Sequence, residues 1–202
     1  MNTSRLASLT KFLTAAACAA TILARTDLHA NPGYKARSGK IVFTVGSNVP
    51  LLKITGSSAA VTGGGEGAVE GALAVISNLR FEVDPATFKT GMTLRDQHMR
   101  EKVFTAADGS IPKVVLRADR AVAQLNPQTS QWEGELKGQL TIRGVTRPVT
   151  FSASAEQKGA GAVVTAHGSV RTTDFGVKPI SYSGAGVYDE VTVTVSNLVV
   201  EP

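Results

Sequence analysis

Residues 131–156, QWEGELKGQLTIRGVTRPVTFSASAE, are the stretch that decides the fold. Residues 131–142 and residues 148–156 both have the composition of β-strands, and Gly144 marks a turn between them. At about 3.3 Å per residue, a strand of about twelve residues is roughly 40 Å long. The stretch therefore predicts two long neighbouring strands joined by a short link.

Further strands are predicted on both sides of this pair. In residues 40–45 the apolar side chains alternate along the chain, which is the two-residue period of a strand. Residues 31–39 are expected to form a flexible lead-in, and the glycines of residues 63–65 are expected to break the chain. The predicted strands are residues 40–45, 51–55, 68–76, 79–83, 113–125, 131–142, 148–156, 161–172 and 190–200.

Long strands with short links favour one architecture. A meander of about eight such strands closes most naturally into an antiparallel barrel, because closure removes the exposed edges. A barrel of about eight strands is just wide enough to be filled by its own side chains or to hold one slim ligand. The sequence therefore predicts an all-β fold, an antiparallel β-barrel, and leaves a filled and a hollow interior as alternatives.

Residues 93–104 are the one segment with helical character. Thr93, followed by Asp96 three residues later, resembles a capping box, although Asp replaces the usual Glu or Gln. Arg95, Asp96 and His98 are expected to anchor this short helix to the barrel through hydrogen bonds. Contact with the polar head of a ligand is the alternative role for these side chains.

The first thirty residues predict a secretory signal. Two basic residues precede an apolar run of twelve, residues 12–23, which is too short to cross a bilayer but fits a signal peptide. Residues 28–30, Leu-His-Ala, offer a cleavage site. We therefore expect a signal peptide over residues 1–30, a periplasmic mature protein, and a single domain over residues 36–202.

Cys18 is the only cysteine of the chain and lies inside this signal. A lipoprotein with Cys18 as the lipidated residue is disfavoured, because the apolar run before it is only about six residues long. The cleaved chain would then have no thiol and no disulfide. It would hold 18 basic and 15 acidic side chains, a net charge of +3 that is too small and too dispersed to predict nucleic-acid binding.

Three further motifs stand out in the chain: TGMTLRDQHMREKVF in residues 90–104, GQLTIRGVTRPVTF in residues 138–151, and RTTDFGVKPI with the later VYDEVTVTV in residues 171–195. Together they resemble the YceI-like family of exported lipid-binding proteins. The resemblance covers most of residues 66–200. The family's usual start, Asp-x-x-His before a strand, is absent, and KIVFTVGSNVPLLKIT in residues 40–55 stands in its place.

The resemblance implies a lipocalin-like barrel with one short helix near its mouth. It also implies an apolar lumen that binds a long isoprenoid or a similar lipid. The helix and residues 171–182 are expected near the entrance of this lumen. Elementary physics agrees, because an isoprenoid chain has no polar group to recognise and is bound by burial of apolar surface alone. The predicted ligand-binding residues are Phe43, Phe81, Leu94, Arg95, His98, Met99, Phe104, Leu140, Ile142, Phe151, Phe175 and Val193.

Catalytic, metal and cofactor chemistry are not predicted. A hydrolase needs a nucleophile, a base and a carboxylate that converge, yet the mature chain has only His98 and His167 as histidines and no Gly-x-Ser-x-Gly motif. Two histidines without a cysteine or a His-x-x-x-His pair also make a poor metal site. The glycines of residues 65–71 and the Asp-Phe-Gly of residues 174–176 are better explained as turns and bulges than as nucleotide-binding motifs.

The sequence thus predicts an exported protein that carries or sequesters one long lipid, without catalysis and without a cofactor. The alternative is a solid barrel that acts as an interaction module or as an accessory partner in an envelope stress or redox system, without a ligand. Nucleic acid is not expected as a partner. Membrane contact is expected to be transient at most, and formation of a homodimer is left open.

Overall fold

The computed structural model describes residues 32–182 and 185–202. The predicted signal peptide over residues 1–30, with Cys18 in it, lies outside the described residues. Within the two described ranges, no helix has the length and hydropathy that crossing a membrane requires.

The described chain folds into ten strands and one short α-helix. The strands are β1 (Gly33–Ser47), β2 (Lys53–Ser58), β3 (Val61–Glu70), β4 (Leu73–Val83), β5 (Val114–Asn126), β6 (Gln131–Ile142), β7 (Val145–Lys158), β8 (Gly161–Arg171), β9 (Ser181–Tyr182) and β10 (Ala185–Glu201). The helix α1 (Thr93–Met99) continues into one π-helical turn over Arg100–Phe104. Single 3-10 turns occupy Pro85–Thr87 and Thr172–Phe175.

Eight of these strands form a closed antiparallel barrel in the order β1-β3-β4-β5-β6-β7-β8-β10. The barrel closes where β10 pairs with β1, for example at Val195 with Ile41 and at Val193 with Phe43. Outside this ring, β2 pairs with the second half of β1, and β9 adds a two-residue ladder to β10. Closure removes the exposed edges, which confirms the predicted antiparallel barrel with one short helix.

The two ends of the barrel are built differently. At one end, which we call the mouth, lie the long connection from β4 to β5 in residues 84–113, the segment after β8 in residues 172–180, and the loop from β1 to β2 in residues 48–52. The far end has short turns at residues 71–72, 127–130 and 159–160. The helix therefore belongs to the mouth, as the sequence predicted.

The strands of the C-terminal half agree with the sequence prediction. The predicted strand over residues 131–142 coincides with β6, and β5, β7, β8 and β10 contain nearly all of their predicted residues. The predicted turn over residues 174–176 is also confirmed, because the 3-10 turn after β8 ends at Gly176, whose φ is 75°.

The first strands differ from the prediction. Residues 33–39 belong to β1 and are not a flexible lead-in. Residues 68–76 are not one strand, because a turn at Gly71, with φ of 62°, separates β3 from β4. Apolar residues continue on both sides of this turn, interrupted only by Glu70 and Gly71, so the apolar run hid the reversal of the chain.

The glycines of residues 63–65 lie inside β3 and do not break it. Here β1 approaches β3 so closely that a Cβ atom at Gly64 would lie 1.9 Å from the carbonyl oxygen of Tyr34. The pairing of β3 with β4 shifts register between Gly64 and Glu66. These glycines permit a bulge and a close approach of two strands, which sequence alone does not distinguish from a chain break.

The start of α1 also differs from the prediction. No side chain caps the helix at Met92, so the capping box proposed for Thr93 is wrong. Asp96 instead accepts hydrogen bonds from the backbone N–H of Thr90, at 2.8 Å, and from its hydroxyl, at 2.5 Å. Arg95 donates through Nη2 to the carbonyl of Thr90. These bonds fix the loop before the helix and do not reach the barrel wall.

Candidate functional site: the lumen and its mouth

A cavity of about 520 Å³ occupies the barrel interior. The inward-facing side chains of the strands form an apolar wall around it. The wall residues are Ile41, Phe43, Val45, Phe81, Val83, Val114, Leu116, Leu136, Leu140, Ile142, Phe151, Ala166, Val170, Val191, Val193, Val195 and Leu198. The volume lies within the range of about 300–1,000 Å³ that is common for small-molecule pockets.

Three phenylalanine rings hold the helical segment against the barrel. The ring centroid of Phe88 lies 5.7 Å from that of Phe43 on β1, edge to face, and 5.8 Å from that of Phe104, stacked. Phe88 and Phe104 are both buried. Such ring pairs contribute about 0.5–1.5 kcal/mol each beyond their buried area, so they fix the position of the helical segment at the mouth.

Two rings of the wall lie directly against glycines. A Cβ atom at Gly56 would lie 2.3 Å from the ring of Phe43, and one at Gly168 would lie 2.6 Å from the ring of Phe151. Any larger residue at either position would displace the ring. Gly56 and Gly168 therefore help to fix the positions of the Phe43 and Phe151 rings in the wall.

Three apolar side chains mark the opening of the cavity. Met92, Leu94 and Tyr188 line the cavity, yet their exposed fractions are 57%, 56% and 57%. Met92 and Leu94 belong to the start of the helix, and Tyr188 to the start of β10. A residue that both lines a cavity and reaches solvent stands at its entrance, so the cavity opens at the mouth.

The polar side chains of the lining gather at this same end. They are Glu82, Thr90, Arg95, His98, Lys102, Thr172, Thr173, Ser181 and Asp189. The Nε atom of Arg95 is buried and has no hydrogen-bond partner among the described residues. The cavity thus combines an apolar interior with a polar entrance that includes cationic side chains.

Asp189 organises one side of this entrance. Its carboxylate accepts hydrogen bonds from the hydroxyl of Thr172 at 2.8 Å, from the backbone N–H and hydroxyl of Thr173 at 2.8 and 2.7 Å, and from Nε of Arg171 at 3.0 Å. Partial burial alone would raise the pKa of Asp189, but these hydrogen bonds outweigh it and hold the pKa well below its usual value. The ionised carboxylate therefore fastens the turn after β8 to β10.

Eleven of the twelve predicted ligand-binding residues line the cavity. Phe175 does not, because its side chain, 2% exposed, is packed behind the wall in a cluster with Leu140 and Phe151. Phe175 lies in the 3-10 turn after β8, where the alternation of a strand no longer applies. That the other residues contact a ligand stays a prediction.

Sequence reasoning missed part of the lining. Val114 and Leu116 on β5 could have been found, because their spacing places both on one face of the strand. Ile180 belongs to residues 171–182, which were expected near the entrance, but nothing in the local sequence of Tyr188 and Asp189 distinguishes these two lining residues from surface residues. Their role depends on how the loops fold over the barrel end.

The described residues hold no group of three or more His, Cys, Asp or Glu side chains that could bind a metal ion. The two histidines of the described residues lie in different settings. His98 lines the cavity at the mouth, whereas His167 is exposed on β8, with Nδ1 3.3 Å from the hydroxyl of Thr194.

A closed eight-stranded barrel with an apolar lumen and a polar entrance defines the class of lipocalin-like barrel proteins. Within that class, residues 34–197 match the model of the YceI-like domain, and the chain belongs to the YceI-like family. This match confirms the resemblance drawn from the three sequence motifs. None of the curated protein sequences compared with the chain matches it.

Several solved structures share this fold. Burkholderia cenocepacia BcnA is 18% identical with a TM-score of 0.56, over 81% of this chain and 96% of that one. A polyisoprenoid binding domain from Saccharophagus degradans is 11% identical with a TM-score of 0.56, over 83% and 96%. The YceI protein of Campylobacter jejuni is 16% identical with a TM-score of 0.53, over 73% and 86%.

Proposed function

We propose that this protein is exported to the bacterial envelope, where it binds one long apolar lipid of the isoprenoid kind inside its barrel for carriage or sequestration. The observation that supports this most is the cavity of about 520 Å³, with an apolar wall and a single polar end. A solid barrel that acts only as an interaction module would have its interior filled by side chains. The proposed function is binding without catalysis.

The apolar wall is sufficient to hold such a lipid. Burial of roughly 400 Å² of apolar surface at about 25 cal/mol per Å² contributes on the order of 10 kcal/mol before the cost of association is subtracted. No fixed set of hydrogen bonds is needed, because an isoprenoid chain offers none. The wall residues therefore provide affinity through their combined area.

The polar entrance orients the lipid in this proposal. The apolar chain points into the barrel, and its polar end lies at the mouth beside Arg95 and His98, which both line the cavity there. The buried Nε atom of Arg95, without a hydrogen-bond partner among the described residues, is a donor that a polar head group can satisfy. The opposite orientation would place a polar group against an apolar wall, at a cost in desolvation.

Export is supported by the sequence of the first thirty residues. The apolar run over residues 12–23 follows two basic residues and has the length of a signal peptide. The part of the chain from residue 31 onward contains no cysteine and so folds without disulfides in an oxidising compartment. The similar Saccharophagus degradans protein is a polyisoprenoid binding domain, which supports the choice of ligand class.

The direct test is to purify the protein from the periplasm and identify what leaves it on extraction with organic solvent. We expect mass spectrometry to find an isoprenoid lipid at close to one molecule per chain. A portion of the same protein, unfolded in guanidinium and refolded without lipid, is the matched control and should release none. Equal signals from the two samples, or no lipid in either, would contradict the proposal.

A further inference from the structure

We infer that the mouth of the barrel docks on the surface of a lipid bilayer that contains anionic lipids. This inference rests on the proposed function, since it names the surface with which the lipid is exchanged. It concerns the exposed side chains around the opening, above all those of the loop from β1 to β2 in residues 48–52, which do not line the cavity.

Exposed apolar side chains are concentrated around the opening. Ten large apolar side chains are exposed among the described residues, and seven of them lie at the mouth. These seven are Val49, Leu51, Leu52, Met92, Leu94, Ile111 and Tyr188. Of the others, Val69 and Leu73 flank the turn at the far end, and Val122 is on β5. An apolar rim of this kind around a cavity is typical of a surface that meets a partner.

The loop of residues 48–52 presents Leu51 outward in a defined conformation. Leu51 is fully exposed and has φ of 63°, a left-handed backbone that is rare for a residue of its shape. The hydroxyl of Ser47 donates to the carbonyls of Val49, at 3.3 Å, and of Leu52, at 3.1 Å. The loop is thus tied by hydrogen bonds while its most apolar side chain faces solvent.

The same loop is fastened to the rim of the cavity. The backbone N–H of Asn48 donates to the carbonyl of Gly186 at 3.0 Å, and the N–H of Gly186 donates to Oδ1 of Asn48 at 2.7 Å. Gly186 stands two residues before Tyr188, which lines the opening. Insertion of Leu51 into a bilayer would therefore bring the opening of the cavity to the acyl-chain boundary.

The distribution of charged side chains indicates which kind of bilayer surface the mouth would bind. The mouth carries ten basic and eight acidic side chains, counted over residues 47–53, 82–114, 142–147 and 171–190, so its net charge is positive. The far end carries three basic and five acidic side chains, counted over residues 32–37, 66–74, 124–133, 156–163 and 199–202. Arg171 is paired with Asp189 and Lys113 with Glu82, so these pairs cancel, and the rest of the mouth keeps a net positive charge whereas the far end is net negative.

This distribution favours a bilayer over a second copy of the chain. A symmetric dimer through the mouth would place two net positive surfaces against each other, which is unfavourable. Anionic head groups attract basic residues by about 1 kcal/mol for each Lys or Arg near the membrane surface. The apolar side chains of the rim can enter the boundary between head groups and acyl chains. The apolar rim and the positive charge together fit an anionic bilayer.

The test uses the mature protein and vesicles of phosphatidylcholine, alone or mixed with phosphatidylglycerol, in a flotation assay. We expect binding to the mixed vesicles, and weaker binding at about 1 M salt than at about 0.1 M. Leu51→Asn should weaken vesicle binding about tenfold, because it removes the apolar side chain while Asn tolerates the left-handed backbone. The matched control, Leu73→Asn at the far end, should bind vesicles as the wild type does.

A second readout separates docking from lumen binding. Fluorescence of retinol, an isoprenoid alcohol, reports on the lumen in the absence of vesicles and should be the same for the wild type and both variants. If none of the three proteins binds retinol while vesicle binding still depends on Leu51, the proposed lumen function is overturned and the docking is supported. Equal vesicle binding by the two variants, or a dimer dependent on Leu51 without vesicle binding, would overturn the docking.

Discussion

The wall of the lumen and the mouth differ in what holds them together. In the wall, apolar side chains such as Leu140 and Phe151 pack between regularly paired strands, and backbone hydrogen bonds fix their positions. The connections at the mouth lack the regular backbone hydrogen bonds of paired strands. They are held by hydrogen bonds to Thr90 and Asp189 and by the stacked ring of Phe88. In the proposed function, the wall supplies area for binding, whereas the mouth determines how a ligand enters and which of its ends faces outward.

The largest effect is expected in the wall. Phe151→Ala removes a buried ring that packs with Leu140, and we expect the free energy of unfolding to fall by about 3–5 kcal/mol. Urea denaturation followed by circular dichroism measures this change. Val122→Ala, at an exposed position of β5, is the control and should change the free energy of unfolding by no more than about 0.5 kcal/mol. Similar losses in both variants would show that the wall is not the main source of stability.

A smaller effect is expected at the mouth. Asp189→Asn weakens the hydrogen bonds to Thr172 and Thr173, and we expect the free energy of unfolding at pH 7 to fall by about 2 kcal/mol. Asp174→Asn, at an exposed residue of the same turn, is the control and should have little effect.

The pH dependence of this loss follows from the sign of the pKa shift. Because the folded protein lowers the pKa of Asp189, its carboxylate stabilises the fold above the unfolded pKa of about 3.9, and that stability is lost as the pH falls towards the folded value. The difference in unfolding free energy between wild type and Asp189→Asn should therefore shrink below about pH 4. A constant difference between pH 7 and pH 3 would contradict the assigned role of the carboxylate.

The smallest change in stability, with a clear change in binding, is expected when the lumen is narrowed. Ala166→Leu adds apolar volume to the wall of β8, and we expect the dissociation constant for retinol to rise about tenfold while the fold is retained. Thr165→Leu, on the exposed face of the same strand, is the matched control and should leave retinol affinity unchanged. Equal affinity in both variants would place the retinol outside the lumen.

The same division between wall and mouth explains what the sequence could predict. Strand alternation placed Leu140, Ile142 and Val193 on the inner face correctly, because a two-residue period survives in every regular strand. Around Gly64 the same reasoning failed, since a glycine that permits close strand approach resembles one that ends a strand. The helical segment was predicted, but its attachment through Asp96 to Thr90 was not, because that bond depends on the course of the preceding loop.

At the mouth, the position of a residue depends on loops that come together from distant parts of the chain. Asn48 and Gly186 are hydrogen-bonded across the rim, yet they are 138 residues apart. The pattern of residues near either position does not predict a hydrogen bond between them. The lumen was therefore largely predictable from its strands. At the entrance, the presence of the helical segment was predicted, but the contacts that join its loops were not.

Methyl NMR of isoleucine tests the central claim, that a lipid occupies the lumen, most directly. The chain has six isoleucines after residue 31, of which Ile41, Ile54, Ile142 and Ile180 line the cavity, while Ile76 and Ile111 do not. On titration of the lipid-free protein with an isoprenoid alcohol, we expect the δ1 methyl resonances of the four lining residues to shift and the other two to stay in place. Shifts confined to Ile76 and Ile111, or no shifts at saturating alcohol, would contradict binding in the lumen.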